Sequence, residues 1–152
     1  MNGQHLTGGR IVVGVDGSPS SKAALDWAVR QAELTGATVE AVIAWHFPVA
    51  LGGFPYAPIS MVDADFGGVA AKVLGDAIKE TADPDGPVKV SSTVREGNAA
   101  QVLLEIAKDA DLLVVGSRGH GGFADALLGS VSQHCVHHAR CPVVIIRGQS
   151  AG

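Results

Sequence analysis

The stretch Arg10-Ile11-Val12-Val13-Gly14-Val15-Asp16-Gly17-Ser18-Pro19 reads as a strand, a turn and the first turn of a helix. Its β-branched run suits an extended, packed segment, and the turn pair Asp16-Gly17 stops it. Ser18 followed by Pro19 is an N-cap with proline at the first helical position. Ala24, Trp27, Ala28, Gln31 and Ala32 then recur at helical spacing, and Gly36 supplies the stop. Residues 39–45 (VEAVIAW) follow as a second strand, almost continuously apolar after Glu40. Such runs belong to strands buried on both faces, as in parallel sheets.

The same alternation continues to the end of the chain. A helix is predicted over about 63–81, weakened by Gly67-Gly68, and the turn cluster Asp83-Pro84-Asp85-Gly86-Pro87 closes it. Residues 88–94 alternate as a third strand. Asn98 with Gln101 resembles a capping box opening a helix over 99–108. Leu112-Leu113-Val114-Val115-Gly116 is a buried fourth strand. After a glycine-rich stretch, Ser130 with Gln133 fits a second capping box, for a helix ending near Arg140. Pro142 blocks its continuation, and Val143-Val144-Ile145-Ile146 is a fifth strand. Residues 47–61, with Pro48, Pro55, Pro58 and Gly52-Gly53, read as a long apolar loop, of the kind that is a lid, a binding loop or a disordered segment.

Strands alternating with helices and no internal repeat describe an α/β fold: a doubly wound parallel sheet with helices on both faces, Rossmann-like. In such sheets ligands bind beyond the carboxyl ends of the strands, where strand order reverses. If the order is 3-2-1-4-5, strands 1 and 4 flank that reversal. Gly14–Ser18 and the glycine-rich loop after strand 4 then face one crevice.

Composition agrees with this and excludes several other classes. A length of 152 residues predicts one domain, taken as residues 10–147 between short tails at 1–9 and 148–152. The 47% apolar content excludes a disordered chain. No apolar run approaches the roughly 18 residues of a membrane span, and residues 1–10 lack the apolar region of a signal peptide. Cys135 and Cys141 make no disulfide framework, so a cytoplasmic address is expected. The net charge of −4 divides unevenly: residues 1–111 carry 8 Lys+Arg against 14 Asp+Glu (−6), and residues 112–152 carry 3 against 1 (+2). There is no basic stripe for nucleic acid. A small anion near the C-terminal third fits the balance.

The glycine-rich stretch runs from Gly116 to Ser130 (GSRGHGGFADALLGS). Glycines let backbone N–H groups approach an anion, and Gly129-Ser130 sits where a helix begins, with its free N–H groups and positive dipole end. Arg118 and His120 add charge and donors, and Ser130 is expected to cap its helix. The P-loop pattern is absent, since no Gly-Lys pair occurs. Gly119-His120-Gly121-Gly122-Phe123-Ala124 fits a dinucleotide fingerprint by spacing, but it follows the fourth strand and lacks the acidic partner, so it is discarded.

Gly116-x2-Gly119-x9-Gly129-Ser130 resembles the G-x2-G-x9-G-[ST] motif of ATP-binding members of the universal stress protein family. The opening Ile-Val-Val-Gly-Val-Asp-Gly-Ser and the closing Gly-Ser-Val-Ser and Cys-Pro-Val-Val-Ile-Ile look like the family's two ends, so the resemblance spans residues 10–147. It implies a five-stranded parallel sheet ordered 3-2-1-4-5 and a homodimer pairing through the last strand, residues 143–147. It also implies ATP, with or without Mg²⁺. Adenine and ribose would lie against Gly14, Val15, Asp16 and Ala44, and phosphates along Gly116, Ser117, Arg118, Gly119, Gly129, Ser130, Val131 and Ser132. An extra Gly121-Gly122 pair and the acidic Asp125 depart from the pattern.

The expected role is ATP-dependent regulation under stress without turnover. Slow ATP hydrolysis, a cyclic AMP-binding member and a structural dimer with an empty crevice are the alternatives. Phosphoryl transfer needs a metal clamp, a charge-stabilising cation and a positioned nucleophile, and Asp16 and Arg118 are the only parts in sight. His134 and His138, four apart on one helix face beside Cys135, His137 and Cys141, invite a metal site, but no Cys-x2-Cys or His-Glu-x-x-His pattern supports one. No metal is assigned. The histidines are read instead as helix C-terminal residues complementing the dipole.

Overall fold

The computed structural model describes residues 9–46, 65–118 and 128–148. The predicted 47–61 loop, Gly119 and most of both tails lie outside the described residues. The elements are β1 (Arg10–Gly14), α1 (Pro19–Thr35), β2 (Thr38–Trp45), α2 (Phe66–Thr81), β3 (Val90–Glu96), α3 (Ala99–Ile106), β4 (Leu112–Gly116), α4 (Ser130–His138) and β5 (Val143–Ile146). A 3₁₀ turn, Ala107–Asp109, extends α3. No helix among the described residues is long and apolar enough to cross a membrane.

The strands form one parallel sheet in the order β3-β2-β1-β4-β5. At its centre Val13 lies opposite both Ala41 and Val114. Side chains alternate across the pleat, so the sheet divides the apolar core in two. On one face Ile11, Val13, Val39, Ala41, Ile43 and Val114 pack against Ala24, Leu25 and Ala28 of α1 and Ala70, Leu74 and Ala77 of α2. On the other, Val12, Val42, Leu113 and Val115 meet Val102 and Leu103 of α3 and Cys135 of α4. Leu25 and Leu74 are fully buried, each worth roughly 2–3 kcal/mol of transfer free energy.

Local chemistry sets most of the boundaries. Ser18 caps α1, its Oγ accepting from the Ser21 N–H at 3.3 Å, with Pro19 next and Gly36 left-handed (φ 79°) at the other end. Asp65 caps α2, accepting from Gly68 N at 2.8 Å. Asn98 caps α3, accepting from Gln101 N at 3.1 Å.

Several boundaries differ from expectation. Helix α2 starts at Phe66 rather than near 63, because the Asp65 carboxylate takes the N-cap place. Strand β3 lies two residues later than expected: its pairing with β2 starts at Val90 opposite Val39 and runs to Glu96 opposite Trp45. Helix α3 ends at Ile106, tightening into the 3₁₀ turn before β4. Helix α4 ends at His138, where the Ala139 N–H returns to the Cys135 carbonyl.

Candidate functional site

The site is built where β1 and β4, neighbours in the sheet, release the chain in opposite directions. Beyond β1, the Val15 N–H still bonds the Val42 carbonyl at 2.8 Å, carrying the sheet one residue further. Asp16 then turns the chain: its Oδ1 accepts from Ser18 N at 2.8 Å, and Gly17 adopts a left-handed φ of 84°. The Asp16 N–H donates to Ser21 Oγ at 3.2 Å. Asp16 thus holds the turn into α1 and also borders the crevice.

Beyond β4, the Ser117 N–H donates to the Ile146 carbonyl at 2.8 Å, tying the strand's exit to the end of β5. The Ser117 carbonyl in turn accepts from the Gly129 N–H and from Ser132 Oγ at 3.1 Å. One residue therefore fixes both the exit of β4 and the entry of α4.

The entry of α4 corrects the expected capping box. Ser130 does not cap this helix; it is the first helical residue, and the N-cap is Gly129 (φ −72°, ψ 169°), whose carbonyl accepts from Gln133 N. The bond from Gly129 to Ser117 holds the glycine extended and starts the helix one residue earlier than a Ser130 cap would. Gln133 donates to the Leu128 carbonyl at 3.3 Å instead of returning to a cap. Among the described residues no side chain caps α4. The first N–H groups of a helix have no partner within the helix, and this first turn, with the positive dipole end, borders the crevice.

The crevice is a cavity of about 260 Å³. Val42, Ala99, Leu103, Val115 and Val131 line it with apolar surface. Asp16, Ser21, Arg118, Ser130 and Ser132 give it polar surface. Gly14 shapes the floor: a Cβ there would stand 2.7 Å from a Leu103 methyl, so glycine leaves the space between β1 and α3 open. Asp16 and Arg118 are the charged residues in the lining, and no carboxylate among the described residues forms an ion pair with Arg118.

Gly14, Val15, Asp16, Ala44, Gly116, Arg118, Gly129, Ser130, Val131 and Ser132, all singled out from the sequence, border this cavity together. Ser117 does not: it is buried beneath, acting through its backbone. Gly119 lies outside the described residues. Ser21, Val42, Ala99, Leu103 and Val115 also line the cavity and were missed. Ala99 and Leu103 are four apart just after the Asn98 cap, so they share a helix face, and that spacing was a readable signal.

The suspected metal cluster has a different geometry. His134 and His138 place their rings 4.7 Å apart on the exposed side of α4. Among the described residues no group of three or more His, Cys, Asp or Glu could hold a metal ion. Cys135 faces inward from the same helix, and burial pushes its thiol up to about 11, with Cys141 nearby adding to the shift.

A parallel α/β sheet ordered 3-2-1-4-5, with a largely apolar crevice at its switch point and a helix start opening onto it, defines a doubly wound α/β protein with its crevice where such folds place ligands. The chain belongs to the universal stress protein family, whose model matches residues 8–147. Universal stress protein Rv2623 of Mycobacterium tuberculosis (strain ATCC 25618 / H37Rv) is 36% identical over 146 residues, covering 93% of this chain and 48% of that protein. The chain thus spans about half the length of the curated relatives it matches. The solved universal stress protein UspA from Lactobacillus plantarum superposes with a TM-score of 0.75 at 24% identity, covering 93% of this chain and 99% of that one. A universal stress protein solved in complex with cAMP gives a TM-score of 0.60 at 28% identity, covering 94% of this chain and 99% of that one.

Proposed function

We propose that this chain binds an adenine nucleotide, ATP first among them, and works through ligand-dependent stability and partner choice rather than turnover. The observation that carries the reading is the start of α4. Among the described α-helices it alone lacks a side-chain cap, and its first turn lines the cavity beside Arg118. An uncapped helix start beside a cation that no described carboxylate pairs suits an anion. The apolar surface from Val42, Ala99, Leu103 and Val115 suits a planar base. At about 260 Å³ the cavity is near the lower end of ligand pockets, roughly 300–1,000 Å³. It suits a base and sugar, with the phosphates running outward along Gly129, Ser130, Val131 and Ser132. Asp16 is the carboxylate available to a Mg²⁺ carried in with the phosphates.

Binding without turnover follows from the same inventory. The Asp16 carboxylate already accepts from Ser18 N, and among the described residues no second carboxylate or histidine lines the cavity to position a nucleophile. Hydrolysis is therefore slow at most. The reading extends to a homodimer through β5, which bonds β4 on one side and has a free edge on the other among the described strands. Half-buried Val143 to Ile146 and Val136, 47% exposed, supply apolar surface there. The free thiols Cys135 and Cys141 suit the reducing cytoplasm.

A second reading, cyclic AMP as ligand, is favoured by the relative solved with cAMP. The test is to denature freshly purified protein, identify released nucleotide by mass spectrometry, and follow thermal stability with added ATP, ADP and cyclic AMP. ATP at 100 times its Kd should stabilise by about 2.7 kcal/mol. A larger shift with cyclic AMP at equal saturation selects the second reading. An empty protein that no adenine nucleotide stabilises overturns both.

A further inference from the structure

The buried polar residues among those described are all serines: Ser18, Ser20, Ser21, Ser117 and Ser132. Four are accounted for by the cap of α1, the turn at Asp16 and the joint at Ser117. Ser20 is not. It sits in the first turn of α1, where its hydroxyl serves neither the helix nor the cavity lining. It reaches instead across 98 positions of sequence to the backbone of Arg118, donating to that residue's carbonyl and accepting from its N–H at 3.3 Å. Ser18 Oγ adds a second bond to the same carbonyl at 3.3 Å.

Two glycines permit this reach. A Cβ on Gly116 would meet Ser20 Oγ at 2.5 Å and the Ser21 nitrogen at 2.8 Å, and one on Gly148 would meet Ser20 Cα at 2.9 Å. The first turn of α1 is thus wedged between the exit of β4 and the exit of β5, with one hydroxyl engaging both backbone polar groups of Arg118. Arg118 is the third residue of the glycine-rich stretch, and its side chain is exposed at the cavity.

We infer that Ser20 is a positioning residue for anion binding: by bracketing the Arg118 backbone it holds the root of the glycine-rich loop, and the guanidinium with it, in the ligand-ready place before the ligand arrives. This rests on the proposed nucleotide reading and adds a determinant of phosphate affinity that touches no ligand. A site ordered in advance spends less of its interaction energy on ordering at the moment of binding.

The experiment compares wild type and Ser20→Ala with two probes, ATP and adenosine, by calorimetry, alongside amide exchange by NMR in the ligand-free proteins. Losing the hydroxyl should weaken ATP about tenfold, as one net hydrogen bond allows, and change adenosine by less than about twofold. Exchange at the Arg118 amide should rise about tenfold while Val114 in β4 keeps its rate, which separates local release from general destabilisation. Equal losses for ATP and adenosine, or an Arg118 amide that exchanges no faster, overturn the inference. If wild type binds neither probe, the nucleotide reading fails by itself, and the exchange rates alone decide whether Ser20 holds Arg118.

Discussion

Helices α1 and α4 start at the same end of the sheet, after adjacent strands, and both begin with serines in the first turn, yet their entrances are opposites. At α1 the Ser18 hydroxyl covers the Ser21 N–H, and Pro19 removes another donor from the count. At α4 the N-cap is Gly129, and Ser132 turns its hydroxyl back to the Ser117 and Gly129 carbonyls. The serine of one entrance closes it. The serine of the other leaves the backbone donors open and braces the loop behind them. A glycine N-cap costs roughly a few tenths of a kcal/mol against a serine or asparagine cap, and at α4 that cost sits beside the cavity.

The largest test of this contrast removes the joint between the two entrances. Gly116→Ala places a methyl against the Ser20 and Ser21 backbone, which a helix start cannot yield cheaply. Overpacking of this kind should cost about 3 kcal/mol in urea unfolding. A loss below about 1 kcal/mol would mean the joint is soft. Next, Gly129→Asp gives α4 the cap it lacks. The added carboxylate should stabilise the fold by roughly 0.3–1 kcal/mol through the dipole and weaken ATP at least about tenfold by occupying and repelling the phosphate position. Unchanged ATP affinity would remove α4 from the binding site.

Asn98→Ala deletes the cap of α3, a helix entrance of the closed kind, and should cost about 1 kcal/mol of stability. Gly129→Ala, which removes no capping hydrogen bond, should show no such loss on that account. The smallest effect concerns the inner face of α4. The Cys135 thiol ionises at about 11 in the folded protein against 9.0 without burial. The unfolded chain therefore releases this proton first, so the contribution to stability is intact below about pH 9 and is lost as pH rises toward 11. Cys141 is also raised by burial and adds a decline of the same sign. Urea midpoints between pH 8 and 10.5 should fall, and fall less in Cys135→Ala.

Legibility from the sequence followed the agreement between local preference and tertiary demand. The stretch from Arg10 to Pro19 was readable because the β-branched run, the Asp-Gly turn and the Ser-Pro start each prefer the conformation they adopt. Strand order 3-2-1-4-5 was reachable from the α/β alternation together with the family resemblance. The start of α4 was misread because Ser130 has the intrinsic preference of a cap, while a bond made at long range, Gly129 N–H to the Ser117 carbonyl, decides the matter. Strand β3 was placed two residues early because Arg95 and Glu96 have little strand preference of their own. Pairing with β2 carries them into the sheet on an exposed edge.

The crevice divides the same way. Gly14, Asp16 and Gly129-Ser130 announced themselves by turn chemistry and spacing. Val42 and Val115 did not, since only the register of neighbouring strands puts their face toward α3. Ser21 looked like an ordinary residue of the first helical turn, and its role appears only where the chain folds back toward Asp16.

All five strands run parallel, so the described chain enters the sheet at one end, where Gly9 lies against Asp111 just before β4, and leaves it at the other, where Gly148 lies against Ser20. The two ends are therefore not equivalent handles. A tether on the amino side of Gly9 pulls on the end of the sheet remote from the crevice. A tether fused directly after Gly148 pulls on the wedge that α1 drives between β4 and β5. Immobilised binding assays and fluorescent fusions should hold this protein by its amino side, because a linker on the other side loads the same joint whose stiffness the assay would be reporting.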